Sequence, residues 1–346
     1  MKCLFYIAKI YSIPIIKPLV NYCNQTNIEY GFYISEKIER NFPEEWDKEK
    51  KIGSISEAKK FHPDFILCPG NFTDFRIPGI KVQIFHGLGV EKKSHYKIRH
   101  FFDVYLTSGP VVTKKFQQLQ KRYGYFLVRE TGWPKIDYIL NYDTTNLKKK
   151  FLIPENKKVI LYAPTFSRTM ESASDLLPVI PEIAKEDEIW LLKFHELMNK
   201  DIIESIKKTK KTNLKVIDIV DITPLLHLAD LMISDTSSVI YEFMVLNKPV
   251  ITYKTHSRKN KGINIHYPYQ LKEAINRAYA NSLKICAKEQ LAEVNPYLSG
   301  NISKRIFDTL DDIKQNNLLP DKKKPANLFR KYQILFHSLF RKGYLR

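Results

Sequence analysis

Cysteine is scarce and scattered. Cys3, Cys23, Cys68 and Cys286 are the only four in 346 residues, with no CxxC pair among them. That spacing excludes a disulfide framework and a cysteine-based metal cluster; it reads as reduced, mostly buried thiols of a cytosolic protein. Long apolar runs are missing too, since no stretch reaches the ~18 consecutive apolar residues of a membrane span. The opening "MKCLFYIAKIYSIPIIKPLV" superficially resembles a signal peptide. Lys9, Pro14 and Lys17 interrupt its apolar run, however, and no small-residue cleavage site follows. A first strand followed by a helix explains it better. Acid is the third shortage: 37 Asp and Glu face 56 Lys and Arg, a formal net charge of +19. Such a surface attracts nucleic acid, anionic lipid headgroups or phosphorylated substrates, and a general lysine bias explains the same excess. Composition alone does not choose among them.

A hydrophobic content of 44% with 12% aromatics is ample for globular packing, and the length suggests two domains. Short apolar runs alternate with amphipathic ones. Strands are expected at Cys3–Ala8, Tyr30–Ser35, Asp64–Pro69, Lys81–His86, Val104–Gly109 and Phe126–Thr131, with a helix over Pro110–Gly124 that has proline in its first turn and glycine at its end. The polar, unpatterned Asn141–Lys158 reads as a linker. Beyond it the alternation restarts, with strands expected at Val159–Pro164, Ile189–His195, Leu214–Asp218, Leu231–Asp235 and Pro249–Tyr253. Continuous apolar strands alternating with helices imply crossover units in parallel sheets. The expected architecture is therefore α/β, two Rossmann-like domains facing a cleft: 1–146, 147–300, and a helical basic tail over 301–346. The end of that tail, "DKKKPANLFRKYQILFHSLFRKGYLR", carries eight Lys/Arg against one acid, with apolar residues at helical spacing. It suits an anionic membrane surface, or a terminal helix packed on the first domain.

Ligands of such sheets bind at the carboxyl ends of strands, and four polar strand ends stand out. In "QIFHGLGVEKKSHY", His86 precedes Gly87 and Gly89, which allow a sharp turn, and an imidazole there suits proton abstraction near neutral pH. Lys92 and Lys93 add positive charge. "YAPTFSR" offers Thr165, Ser167 and Arg168. "LLKFHE" puts Lys193 and His195 on one face by period-two alternation. "TGWPKID" contributes Gly132 just before the linker. The densest cluster is "MISDTSSVIYEF", where Asp235, Thr236, Ser237 and Ser238 lie between a strand and a helix. Capping needs one such residue. The surplus hydroxyls, at a helix start, suit phosphate oxygens, and Glu242 one turn in suits sugar hydroxyls.

Together "HGLGVEK", "TGWPKID", "LYAPTF", "LLKFHE" and "ADLMISDTSSVIYEFMVLNKPVITY" resemble the CDP-glycerol glycerophosphotransferase family, the teichoic acid primases and polymerases and their capsule-assembly relatives. The resemblance runs from about Lys81 to about Tyr253. It implies a two-Rossmann (GT-B) fold without a catalytic metal or other cofactor. It also implies a CDP-glycerol or other CDP-polyol donor, and a lipid-linked or capsular glycan acceptor at the inner face of the membrane. His86 matches the histidine of the family's His-Gly-Thr motif, the expected general base. His195 matches that of Arg-x-His-Pro, which contacts the donor phosphates, and Thr236, Ser237 and Ser238 match the hydroxyls that hold the diphosphate. Three positions depart from the pattern: Leu88 for Thr, Lys193 for Arg and Glu196 for Pro. Two alternatives remain open. One is a sugar transferase or UDP-sugar 2-epimerase on the same fold; the other is a non-enzymatic basic protein binding anionic polymer. Nucleic acid is not expected, because Lys/Arg interleaved with aromatics is clearest in the tail, away from the strand-end motifs.

Overall fold

The computed structural model describes the chain apart from residues 168–169, 210, 256, 281–283 and 341–346, and apart from the side chains of 36–37, 259, 284–287 and 337–340. Among the described residues thirteen strands form two sheets, each wholly parallel in its pairings. The first has the order β3-β2-β1-β4-β5-β6-β7, from β1 (Lys2–Ile7), β2 (Glu29–Ile34), β3 (Lys51–Ile52), β4 (Phe65–Cys68), β5 (Ile80–Gln83), β6 (Val104–Thr107) and β7 (Leu127–Glu130). The second has the order β10-β9-β8-β11-β12-β13, from β8 (Lys158–Tyr162), β9 (Glu188–Leu192), β10 (Leu214–Val216), β11 (Leu231–Ser234), β12 (Val250–Tyr253) and β13 (Ile263–Ile265). Central strands such as β4, β6, β11 and β12 are buried at every residue, as strands covered on both faces must be.

The compact units are Met1–Tyr138 with Val294–Arg346, and Ile139–Glu293. The first unit ends within the helix Lys135–Leu140, and the chain returns to it at Val294. The segment expected as a linker is packed rather than free. Leu147 and Ile153 are buried, and Lys215 Nζ donates to the Leu152 carbonyl at 2.8 Å. The return segment is received by the TGWPKID motif. Asn295 Oδ1 accepts from the Trp133 N–H at 2.8 Å, while Asp137 accepts from the Ile302 and Ser303 amides at 3.1 and 2.7 Å.

The N-terminal segment forms β1 and then the helix Ile13–Thr26. Cys3, Cys23 and Cys68 are buried and unpaired, and burial pushes the Cys23 and Cys68 thiols up to about 12. The Cys286 side chain lies outside the described residues. Among the described residues no helix is long and apolar enough to cross a membrane.

Candidate active site

In the first unit, β5 stops at Gln83 and the chain is turned by Phe85, whose φ is +58°. Left-handed backbone costs a residue with a Cβ about 1–2 kcal/mol, and packing holds it here. Phe85 is 3% exposed, stacks on His95 at 4.8 Å and meets Phe116 edge-on at 5.2 Å. Its carbonyl accepts from Trp133 Nε1 at 3.1 Å. The turn expected from Gly87 and Gly89 is thus made one residue before His86, and neither glycine has a positive φ. Nor does packing demand glycine at Gly89, where a Cβ would sit at ordinary contact distances, 3.5 Å from His95 Nδ1 and 3.9 Å from Lys92 Cδ. Leu88, the departure from threonine, is buried at 1% exposure.

The His86 residue is exposed, with the Tyr11 ring 5.4 Å away. Protein nonetheless surrounds it closely enough that desolvation pushes its pKa down to about 4. Lys92 and Arg99 lower it further, and a hydrogen bond to the Pro69 backbone opposes them. Proline has no N–H, so the ring donates to the Pro69 carbonyl, which fixes the tautomer of the neutral imidazole. His95 is pushed down to about 3, first by burial and then by His86, Arg99 and Lys92. Gly132 plays a different part from the loop position expected of it. Its φ is +93°, and a Cβ would meet Ile302 Cγ1 at 2.9 Å, so it is a packing position against the returning chain.

The second unit holds the other candidates. Asp235 follows β11 and is turned inward at 1% exposure. Its carboxylate accepts from the Thr165 N–H at 2.9 Å, the Ser172 N–H at 3.0 Å and Ser172 Oγ at 3.0 Å, tying the loop after β8 to the end of β11. Burial raises its pKa to about 6 against the pull of these bonds. Asp235, expected among the phosphate contacts, is therefore engaged as a strut beneath the loop. Thr165 is held through its amide and is 7% exposed. Arg168 lies outside the described residues.

Thr236, Ser237 and Ser238 are all half-buried. Ser238 occupies the cap of the helix Val239–Met244 without a side-chain capping bond, and Ser237 Oγ receives only a long 3.5 Å contact from the Val239 N–H. The helix has six residues, so the hydroxyls, more than its dipole, are what this segment offers an anion. Glu242 is 6% exposed, which places it under the segment and not at its rim.

His195 is exposed, beside Phe166 at 4.2 Å between ring centroids. Its Nδ1 accepts from the Leu197 N–H at 3.1 Å, so the neutral ring carries its proton on Nε2. Lys193 donates from Nζ to the Phe194 carbonyl at 2.8 Å. Burial lowers its pKa, while Asp218 and Glu196 oppose that shift. Glu196 itself is exposed. Reading the sequence motif by motif missed the anchoring of Phe85 by Trp133, the Ser172 partner of Asp235, and Tyr11 beside His86. Trp133 had a signal, as a tryptophan inside a motif already singled out; Ser172 and Tyr11 had none.

Comparisons with known proteins agree on the relationship. Residues 86–309 match the family described as CDP-Glycerol:Poly(glycerophosphate) glycerophosphotransferase. The teichoic acid glycerol-phosphate primase of Bacillus spizizenii is 28% identical over 195 residues, 52% of this chain and 50% of the primase. The chain spans about half the length of such relatives. Among solved structures, the wall teichoic acid polymerase TagF superposes with a TM-score of 0.67 at 16% identity, covering 92% of this chain and 90% of that one. The UDP-GlcNAc 2-epimerase of Neisseria meningitidis superposes with a TM-score of 0.62 at 17% identity, covering 90% of this chain and all of the epimerase chain. At such identities these likenesses speak for the fold, a GT-B-like pair of α/β units.

Proposed function

The chain belongs to the CDP-Glycerol:Poly(glycerophosphate) glycerophosphotransferase family, and from that membership we propose that it transfers glycerol phosphate, or a related polyol phosphate, from a CDP-activated donor. The acceptor is a hydroxyl of a lipid-linked or capsular glycan, and CMP leaves. The observation that carries this reading is the segment Thr236-Ser237-Ser238. Its half-buried hydroxyls have almost no internal employment, within the region the family shares. There they bind the donor diphosphate together with Lys193 and the Nε2–H of His195.

His86 takes the proton of the acceptor hydroxyl. The hydroxyl oxygen forms a bond to the phosphorus that carries the polyol, and the bond from that phosphorus to the bridging oxygen breaks. The electron pair departs with CMP. Phosphoryl transfer asks the protein mainly for positioning and electrostatic stabilisation. A base of this kind is worth typically about 10²–10⁴-fold.

The test is CMP release on mixing the protein with CDP-glycerol and a lipid-linked acceptor. His86→Ala should slow release by at least about 100-fold, and an undiminished rate would remove His86 from the mechanism. A thermal-shift panel settles the nucleotide. CDP and CMP should stabilise the protein; stabilisation by UDP instead would favour a UDP-sugar enzyme.

Membrane association at the inner face is the second part of the reading. The helix Leu328–Phe340 buries Ile334 but leaves Leu328, Phe329 and Tyr332 at 73%, 70% and 66% exposure beside Arg330 and Lys331. Apolar side chains flanked by cations suit an anionic bilayer. Phe329→Ser with Tyr332→Ser should abolish co-sedimentation with anionic liposomes without altering the melting curve; retained binding would refute the assignment.

A further inference from the structure

Phe166 is where the chain leaves the interior of the second unit after β8. Ala163 and Thr165 before it are buried, and the Thr165 N–H is held between both carboxylate oxygens of Asp235, at 2.9 and 3.0 Å. Phe166 is 36% exposed, and it lies outside the apolar core that takes in Tyr162, Phe194 and Met198. Its ring meets His195 instead. The two centroids are 4.2 Å apart with the planes inclined by 34°, so the phenyl ring covers one face of the imidazole.

The backbone of His195 is set by its own strand end. Phe194 and Met198 on either side are buried, and the His195 carbonyl accepts from the Met198 N–H at 2.9 Å. The ring is a separate matter, because an exposed imidazole has about six torsional arrangements, three for χ1 and two for χ2. The Leu197 N–H, from the same turn, bonds Nδ1 at 3.1 Å. Phe166 closes one face of the ring from a different strand end. A run of fixed contacts thus joins the ends of β11, β8 and β9, from Asp235 through the Thr165 amide to Phe166 and on to His195.

We infer that Phe166 is a positioning residue for His195, its ring holding the imidazole in the one arrangement that presents Nε2–H to a bound diphosphate. The inference rests on the transferase reading above for the identity of the ligand and goes beyond it in assigning what orients the histidine. A wall of this kind acts without touching the donor. It removes in advance the ring freedom that binding would otherwise have to remove. Without it the ligand selects one arrangement out of about six, which weakens binding by at most about 6-fold. Leucine at position 166 fills part of the same space but offers no flat face, whereas tyrosine keeps the face intact.

The experiment is a double-mutant cycle read by calorimetric binding of CDP to the full chain. Phe166→Leu should weaken binding by about 3- to 6-fold, and Phe166→Tyr should bind as wild type does. The melting curves should coincide, since the ring lies outside the core. In a His195→Ala background, Phe166→Leu should cost nothing further, because the ring it orients is gone. An equal loss in both backgrounds would mean that the phenyl ring touches the nucleotide itself, and it overturns the positioning role; so does no loss in either. Should the wild type not bind CDP, the transferase reading falls, and the positioning role is then decided without a ligand. Long-range proton–nitrogen spectra at alkaline pH should show His195 as the single Nε2-protonated tautomer in wild type and as a mixture in Phe166→Leu. The same tautomer pattern in both proteins overturns it.

Discussion

Asp235→Asn gives a quantitative test of how the second unit is held together. The native carboxylate is 1% exposed and accepts from the Thr165 and Ser172 amides and from Ser172 Oγ. Its pKa stands at about 6 in place of the usual 3.8, because desolvation outweighs those bonds. The interval between 3.8 and about 6 corresponds to about 3 kcal/mol. Between those values the folded state binds its proton more tightly than the unfolded chain, so stability falls as pH rises through the window. The penalty is fully present above about pH 6. Asparagine does not ionise and escapes it, while losing one acceptor oxygen at every pH. The difference in stability should therefore shift by roughly 2 kcal/mol in favour of the native protein between pH 7 and pH 4, most of the full interval. A chain of two units need not melt in one step. The suitable assay is hydrogen exchange of the peptide carrying the Thr165 and Ser172 amides, both proteins being measured at each pH so that intrinsic rates cancel. A difference that stays flat from pH 4 to pH 7 would refute the account.

Replacing Thr236, Ser237 and Ser238 together by alanine should change stability by no more than about 1 kcal/mol, since their hydroxyls have so little internal bonding. It should weaken CDP binding measured by calorimetry at least about 10-fold; a large loss of stability with unchanged binding would make the cluster structural. Gly132→Ala should destabilise the first unit by about 2 kcal/mol or more, because a positive φ and a 2.9 Å approach to Ile302 both oppose a Cβ; a melting curve identical to wild type would refute the packing role. Trp133→Phe removes the bond to the Phe85 carbonyl and should lower kcat for CMP release several-fold with KM for CDP-glycerol unchanged, and an unaltered kcat would uncouple that anchor from His86.

Much of the architecture was legible because burial on both faces leaves an unmistakable trace. Strands such as Phe65–Cys68 and Leu231–Ser234 are apolar at nearly every position, and only a covered parallel sheet tolerates that. The short edge strands Lys51–Ile52 and Ile263–Ile265 carry too few residues for such a pattern. The route of the chain was harder still. Polarity marked Asn141–Lys158 as a linker, yet two buried residues, Leu147 and Ile153, are enough to seat it on the second unit. The return at Val294 depends on Asn295, Asp137 and Gly132 meeting across more than 160 positions, and no local periodicity reports such a contact.

At the candidate site, residue type marked the polar strand ends but not which of their side chains turn inward. Asp235 and its three hydroxylated neighbours look alike in sequence, as a polar run after a strand. Burial separates them: the acid turns in to hold Thr165 and Ser172, and the hydroxyls stay at the surface. An ionised carboxylate turned outward would repel an anion, whereas turned inward it fixes the loop after the strand Lys158–Tyr162 and leaves the neighbouring hydroxyls half-buried. The same division recurs beside His86. There Phe85 takes the strained backbone and is held by Trp133, while His86 beside it stays exposed. In both units a buried neighbour accepts the energetic cost of the geometry, and the residue next to it remains available for ligand.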